Sequence, residues 1–243
     1  PYQVAIGNHE YVHAENSTAP GGRDPAGRAG PSFRPAWGDY RDDSFGECGV
    51  PTSARFMGTG NGNGVFWYSF DHGLVHFTVW SSENDFSPGS PQYEWLSKDL
   101  AAVDRAKTPW VVVQMHRPMY CSEGNDGTGR DKHLVVAQHI REALEPLFLE
   151  HKVNAIMTGH LHSYERTCAV ANGKCAAPGE HGIVSLRVGT AGGTSDNCKA
   201  FDPLCPNDNT MSFEKGTPWR EAGIYAYGLT RITAANATHM RLD

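Results

Sequence analysis

Long apolar runs are missing from this 243-residue sequence. None approaches the roughly 18 to 20 residues that a bilayer-crossing helix requires, so a membrane span of that kind is excluded. Clustered basic residues are missing too. Lys and Arg total 21 against 27 Asp and Glu, a formal net charge of -6. Without a concentrated Lys/Arg patch, no nucleic-acid partner is expected. An anionic substrate would need positive charge from a local source, and bound metal ions can supply it without making the whole protein basic. Internal repeats and low-complexity segments are absent, as is any CxxC pair among the six cysteines. The missing CxxC spacing puts disulfides ahead of a zinc site, the competing reading of the cysteine pairs. Nothing at Pro1 has the pattern of a secretory leader, but PYQVAIGNHE reads as a buried strand running straight into a motif, and a preceding segment is expected.

What is present suits one sizeable α/β domain over residues 1–243. Cys168 with Cys175 and Cys198 with Cys205 each bracket a polar loop containing Gly or Pro, which favours two local disulfides. Cys48 and Cys121 either pair or remain thiols. The sequons at Asn16 and Asn236 point, with the disulfides, to an extracellular or lumenal protein, secreted or held in a vacuole or lysosome-like compartment.

Along the chain, Tyr2–Ile6 reads as a strand ending at Gly7. Residues 15–64 are rich in Gly, Pro, Arg and Asp and are expected to be irregular. Val65–Phe70 and Leu74–Trp80 read as a hairpin around Asp71-His72-Gly73. Pro91 opens a helix with Tyr93, Leu96, Leu100 and Val103 at helical spacing. Trp110–Met115 is a buried strand, and Leu134–Leu149 is a helix that Pro146 should bend or end early. Val153–Met157 is the next buried strand, and Ile183–Val188, Ile224–Thr233 and Thr238–Leu242 read as later strands. Alternating strands and helices imply helical crossovers between parallel neighbours, hence an α/β core whose ligands gather beyond the carboxyl ends of the strands. Three polar motifs, GNHE, QMHRPMY and TGHLHSYER, fall at such ends.

His160 and His162, one residue apart, share a face if extended or reach two neighbouring ions from a loop. A lone buried histidine is more often a hydrogen-bonded core residue. Gly159 before the pair permits a tight turn, and His116 arrives from another strand end. Asn8 offers a neutral oxygen ligand, leaving His9 to face a bound phosphate as proton or hydrogen-bond donor. The competing reading of Asn8-His9 is a simple cap or turn.

The ordered set GNHE, VVVQMHRPMYCS and GHLHSYER resembles the calcineurin-like metallophosphoesterases and, in its HRPMYCS and SYER extensions, the purple acid phosphatases. Looser echoes follow at Val188–Gly193 and Tyr227–Arg231. The resemblance implies a four-layer α/β/β/α sandwich, incomplete on its N-terminal side. It also implies a dinuclear centre of Fe with Zn, Mn or Fe. Asn8, His116 and His160 would bind the divalent ion and His162 the other, usually ferric, ion. His9 would be an outer-sphere catalytic residue. A further substrate-facing histidine is carried over to His133, which can equally be the mere start of a helix.

The family's opening DxG-type aspartate and GDxxY segment do not precede Asn8, and Trp37-Gly38-Asp39-Tyr40 lies after GNHE and reads as loop. The residues at hand give one ion three protein ligands and the other one, so an upstream segment or another chain is expected to supply Asp and Tyr ligands. The expected activity is hydrolysis of phosphate monoesters, as in an acid phosphatase, by attack of a metal-bound hydroxide, with a fragment that is not competent alone. A phosphodiesterase or nucleotide pyrophosphatase shares the same chemistry. A non-catalytic extracellular binding or assembly module that retains the fold is the remaining alternative.

Overall fold

Aromatic and β-branched residues around Gly73 fold back on themselves to form β1 (Tyr68–His72) and β2 (Val75–Val79). The strands pair antiparallel from Tyr68↔Val79 to His72↔Val75. The two-residue connection is Gly73-Leu74, with Gly73 at φ 57°, the left-handed value that tight hairpins ask of glycine. The structure, a computed structural model, describes residues 2–11, 35–37, 49–122, 132–192 and 216–243. The chain divides into two compact units, Pro1–His116 and Arg117–Asp243.

In the first unit, β2 runs parallel to β3 (Trp110–Gln114). Parallel neighbours need a crossover, supplied by helix α2 (Pro91–Ala101). Its start is set locally: Ser90 accepts the Tyr93 N–H at 3.2 Å, and Pro91 occupies the first turn, where a missing N–H costs nothing. Leu96 and Leu100 are buried as their spacing predicts. Gln92, also buried, accepts the Ser81 N–H and donates to the Ser81 carbonyl, both at 2.9 Å, pinning the end of β2 to the helix. Val111, Val112 and Val113 are all shielded from solvent, which explains the uninterrupted apolar run of β3.

Two expectations for this unit need correction. Tyr2–Ile6 is not a strand. Tyr2 is exposed while Ile6 is buried, and the Tyr68 hydroxyl satisfies both backbone groups of Val4, accepting its N–H at 2.9 Å and donating to its carbonyl at 2.8 Å. The ladder is thereby replaced by one side chain. Within the stretch expected to be irregular, a short helix α1 (Val50–Arg55) forms after Gly49, with Pro51 in its first turn.

The second unit holds helix α3 (Lys132–Glu150), which continues through Pro146 rather than ending early. Leu144, Leu147 and Phe148 flank the proline and are buried, so packing on both sides outweighs one lost backbone bond. Its sheet places β4 (Ala155–Thr158) parallel to β7 (Ile183–Val188). Next comes β5 (Tyr164–Ala171), antiparallel to β7 and to β8 (Arg220–Ile224). β6 (Lys174–Cys175) pairs with β5, and Cys168 and Cys175 form the expected disulfide across that hairpin. Cys48, Cys198, Cys205 and the Asn16 sequon lie outside the described residues.

The run Ile224–Thr233 is not one strand: β8 ends at Ile224, and β9 (Ile232–Ala234) pairs, among the described residues, with β10 (Met240–Leu242). Between them Gly228 bonds to Thr190, N–H to carbonyl at 3.1 Å, and this tether takes the segment out of the ladder.

Candidate metal centre

The GNHE motif folds as a tight turn. The Glu10 and Tyr11 N–H groups bond to the Gly7 carbonyl at 3.1 and 2.9 Å, and the Glu10 carboxylate reaches back to accept the Gly7 N–H at 3.1 Å. The turn buries Asn8 and leaves His9 and Glu10 exposed. Asn8 Oδ1 lies 2.6 Å from Nε2 of His116, two residues beyond the end of β3. Gly7 makes that approach possible. A Cβ there would sit 2.8 Å from His116 Nδ1, closer than packed atoms come.

The donor chemistry fits a cation. A carboxamide oxygen only accepts, so the contact requires a proton on His116 Nε2. Two atoms able to ligate a metal thus face one point, and a divalent ion can take the place of that proton, with neutral imidazole and amide oxygen as ligands.

In the second unit, β4 runs into Gly159-His160-Leu161-His162. Leu161 N–H bonds to the Gly159 carbonyl and Ser163 N–H to the Leu161 carbonyl, both at 2.9 Å, so each histidine is the central residue of a three-residue turn. His160 has φ 68°, a left-handed value that non-glycine residues seldom take and that points to a constrained functional loop. Arg117, itself buried, places Nη1 3.4 Å from His160 Nε2. A guanidinium only donates, so this contact calls for an unprotonated Nε2 and a neutral ring. Gly189 packs against the loop: a Cβ there would lie 1.9 Å from the Leu161 carbonyl oxygen.

Behind the loop sits a buried charge network that motif reading alone did not find. Glu165 pairs with Arg187 at 2.9 Å, both almost fully enclosed. Glu165 also accepts from the N–H and hydroxyl of Ser122, and Arg220 donates to that hydroxyl at 2.6 Å. Arg187 donates to Ser163 Oγ at 2.8 Å, one residue beyond His162, and contacts the buried thiol of Cys121 at 3.3 Å. One signal was available: Arg187 interrupts the apolar strand IVSLRV, and a charge inside a buried strand demands a partner.

A second brace holds the HRPMY segment. Tyr120 donates to Glu145 at 2.6 Å and accepts the Gly173 N–H at 2.9 Å. Burial, followed by the Glu145 carboxylate, pushes its hydroxyl pKa well above the usual phenol range.

Asn8 and His116 are brought together in the first unit, and His160 and His162 share one loop in the second. Among the described residues, no group of three or more His, Cys, Asp or Glu stands ready to hold a metal ion. The side chain of His133 and residues Gly38, Asp39 and Tyr40 lie outside the described residues.

A family model described as calcineurin-like phosphoesterase matches residues 1–164. The chain is 37% identical over 226 residues to an Arabidopsis thaliana protein named "Probable inactive purple acid phosphatase 9", covering 88% of this chain and 31% of that protein. It is 30% identical over 249 residues to a nucleotide pyrophosphatase/phosphodiesterase of Hordeum vulgare, covering 100% of this chain and 58% of that one. The solved purple acid phosphatase from yellow lupin (Lupinus luteus) seeds matches with a TM-score of 0.76 and 29% identity, over 100% of this chain and 38% of the lupin chain. The chain therefore spans roughly a third of the length of the Arabidopsis and lupin proteins.

Proposed function

The chain belongs to the calcineurin-like phosphoesterase family, and from that premise we propose that it carries the metal-binding part of a dinuclear, acid phosphatase-like hydrolase of phosphate monoesters. The observation that supports this most directly is the 2.6 Å approach of Asn8 Oδ1 to His116 Nε2 at the end of β3, two ligand atoms held at one point by a glycine with no room for a side chain.

In this reading Asn8, His116 and His160 hold the divalent ion and His162 the second, an assignment that rests on the family motifs, as does the choice of Fe with Zn, Mn or Fe. A bound dinuclear centre supplies positive charge on the phosphate and lowers the pKa of water toward neutrality. The chain's own residues do the rest. His9, exposed next to Asn8, donates to the phosphate oxygen that becomes the leaving alkoxide. Arg117, 3.4 Å from His160 Nε2, faces the lone pair that an ion would take and has to yield it for His160 to bind metal. The Glu165–Arg187 pair positions the histidine loop through Ser163. His133 is a second substrate-facing donor by resemblance alone. The disulfide and the exposed Asn236 sequon support a secreted or lumenal setting.

The barley relative, whose match spans this whole chain, favours a nucleotide pyrophosphatase or phosphodiesterase as the second reading. The Arabidopsis relative's printed name favours a non-catalytic module. Elemental analysis of the protein that carries this chain separates these. His116→Ala and His160→Ala are expected to lose about one equivalent of metal, and His9→Ala to retain both ions while kcat falls on the order of 100-fold. Full metal retention in His116→Ala would sink the ligand assignment. Faster hydrolysis of bis(4-nitrophenyl) phosphate than of 4-nitrophenyl phosphate would favour the diesterase.

A further inference from the structure

Within the first unit a cavity of about 420 Å³ opens beside the GNHE turn, inside the roughly 300–1,000 Å³ span of small-molecule sites. Among the described residues, its walls include Val4, Ala5, His9, Glu10, Arg55 and Phe56. Three properties of this wall act together. His9 stands at its edge, where the preceding reading puts the phosphate. Val4, Ala5 and Phe56 give an apolar surface, and the Phe56 ring is held by a stacked Tyr2 at 5.9 Å between centroids. Arg55 is exposed, and its guanidinium has no hydrogen-bond or ion-pair partner among the described residues. Among the described lining residues the one carboxylate, Glu10, is folded back onto the Gly7 N–H at 3.1 Å. The fixed positive charge in the described wall therefore sits at Arg55.

We propose that this cavity receives the organic part of the phosphate ester and that Arg55 selects esters whose organic part carries a second anion, a carboxylate on an aromatic or apolar body. The proposal rests on the reading of His9 as the phosphate-facing residue. A guanidinium matches a carboxylate with two parallel hydrogen bonds, while Phe56 covers an aromatic ring.

The test compares phenyl phosphate with 4-carboxyphenyl phosphate, which differ only in the carboxylate. In the protein that carries this chain, Arg55→Gln is expected to lower the ratio of kcat/KM for the carboxylated ester to that for phenyl phosphate about tenfold, as loss of one hydrogen-bonded charge pair predicts. The loss should lie in KM, and Arg55→Lys should recover part of it. A calorimetric titration with 4-carboxyphenyl phosphate should show about tenfold weaker binding to Arg55→Gln than to the parent. An equal change for both esters, or none, would overturn the subsite. If the parent hydrolyses neither ester yet binding of the carboxylated one still depends on Arg55, the subsite stands and the hydrolase reading falls. If His9→Ala lowers turnover while Arg55→Gln alters neither selectivity nor binding, the hydrolase reading stands and the subsite falls.

Discussion

In the first unit the partly buried carboxylate of Asp99 faces a titratable ring, whereas in the second the buried Glu165 faces a guanidinium that stays charged at every accessible pH. Asp99 accepts from Thr78 Oγ1 at 2.8 Å and from Ser69 Oγ at 2.5 Å, and lies 3.2 Å from Nε2 of His76. The other ring nitrogen is 2.7 Å from Asp71. This cluster ties the β1–β2 hairpin to α2. The Glu165–Arg187 cluster ties Ser122 and Arg220 to the strand that leaves the GHLH loop. Both bury charge at a joint between elements, but only the first includes a group whose charge is set by pH near neutrality. The cation that braces the histidine loop is therefore a permanent one, and the cation that braces the hairpin is not.

The sharpest way to break the comparison is to remove one partner of the permanent pair. Arg187→Met leaves Glu165 buried beside Ser122 with its charge unmatched, at a cost of about 3–5 kcal/mol. Urea denaturation is expected to show that loss at pH 6 and at pH 8 alike. A loss confined to one pH would mean that the second unit's brace titrates after all. The double variant Glu165→Gln/Arg187→Met should recover part of the stability, because no unpaired charge is left behind.

The strands and helices that were legible in the sequence owe their pattern to burial alone. Val111 to Val113, Leu96 with Leu100, and the Ile183–Val188 run are apolar because their surroundings are, and periodicity reports that directly. What was not legible depends on polar groups meeting across distance. Tyr2–Ile6 has strand composition, but Tyr68, 64 residues from Val4, takes its backbone bonds. β5 holds Glu165 and Thr167 in buried positions, which no hydropathy pattern marks as a strand. The site follows the same division. Asn8, His116, His160 and His162 stood out because three polar motifs follow apolar runs in order, two of which are strands. Arg117 and Glu165 lie inside those motifs and Arg187 inside the Ile183–Val188 run, and only their contacts give them a role. The left-handed turn at His160 is likewise invisible in sequence, since non-glycine residues rarely adopt it.

A smaller effect sharpens the contrast from the side of the loop. In Gly189→Ala the added methyl meets the Leu161 carbonyl oxygen at 1.9 Å, and backbone cannot swing aside as a side chain can. A destabilisation of about 1–3 kcal/mol is expected. It should come with weaker metal retention if Gly189 fixes the loop carrying His160 and His162. Thermal denaturation and elemental analysis of the same sample read the two together. A stability loss with unchanged metal content would detach the loop's geometry from its proposed ligand role.

The smallest effect belongs to His76 and is a dependence on pH. Desolvation lowers its pKa, but hydrogen bonds and charge from Asp99 and Asp71 outweigh burial and leave it raised above 6.5. The geometry gives the reason: a neutral imidazole has one N–H and satisfies one of the two carboxylates, while imidazolium donates to both. A group whose folded-state pKa is raised stabilises the fold fully below its unfolded value, and that contribution fades as pH rises through the folded value. Stability of the first unit's hairpin should therefore be greatest below about pH 6.5 and decline above it. Asp71 is more than half exposed, so solvent screens its share, and the total should be about 1 kcal/mol. His76→Gln keeps a hydrogen-bonding group but not the titration. Its denaturation midpoint is expected to match the parent's at pH 8 and fall below it at pH 5.5. Arg187→Met should shift the midpoint equally at both. A His76→Gln variant equally destabilised at pH 5.5 and pH 8 would show that the ring acts by packing rather than by charge.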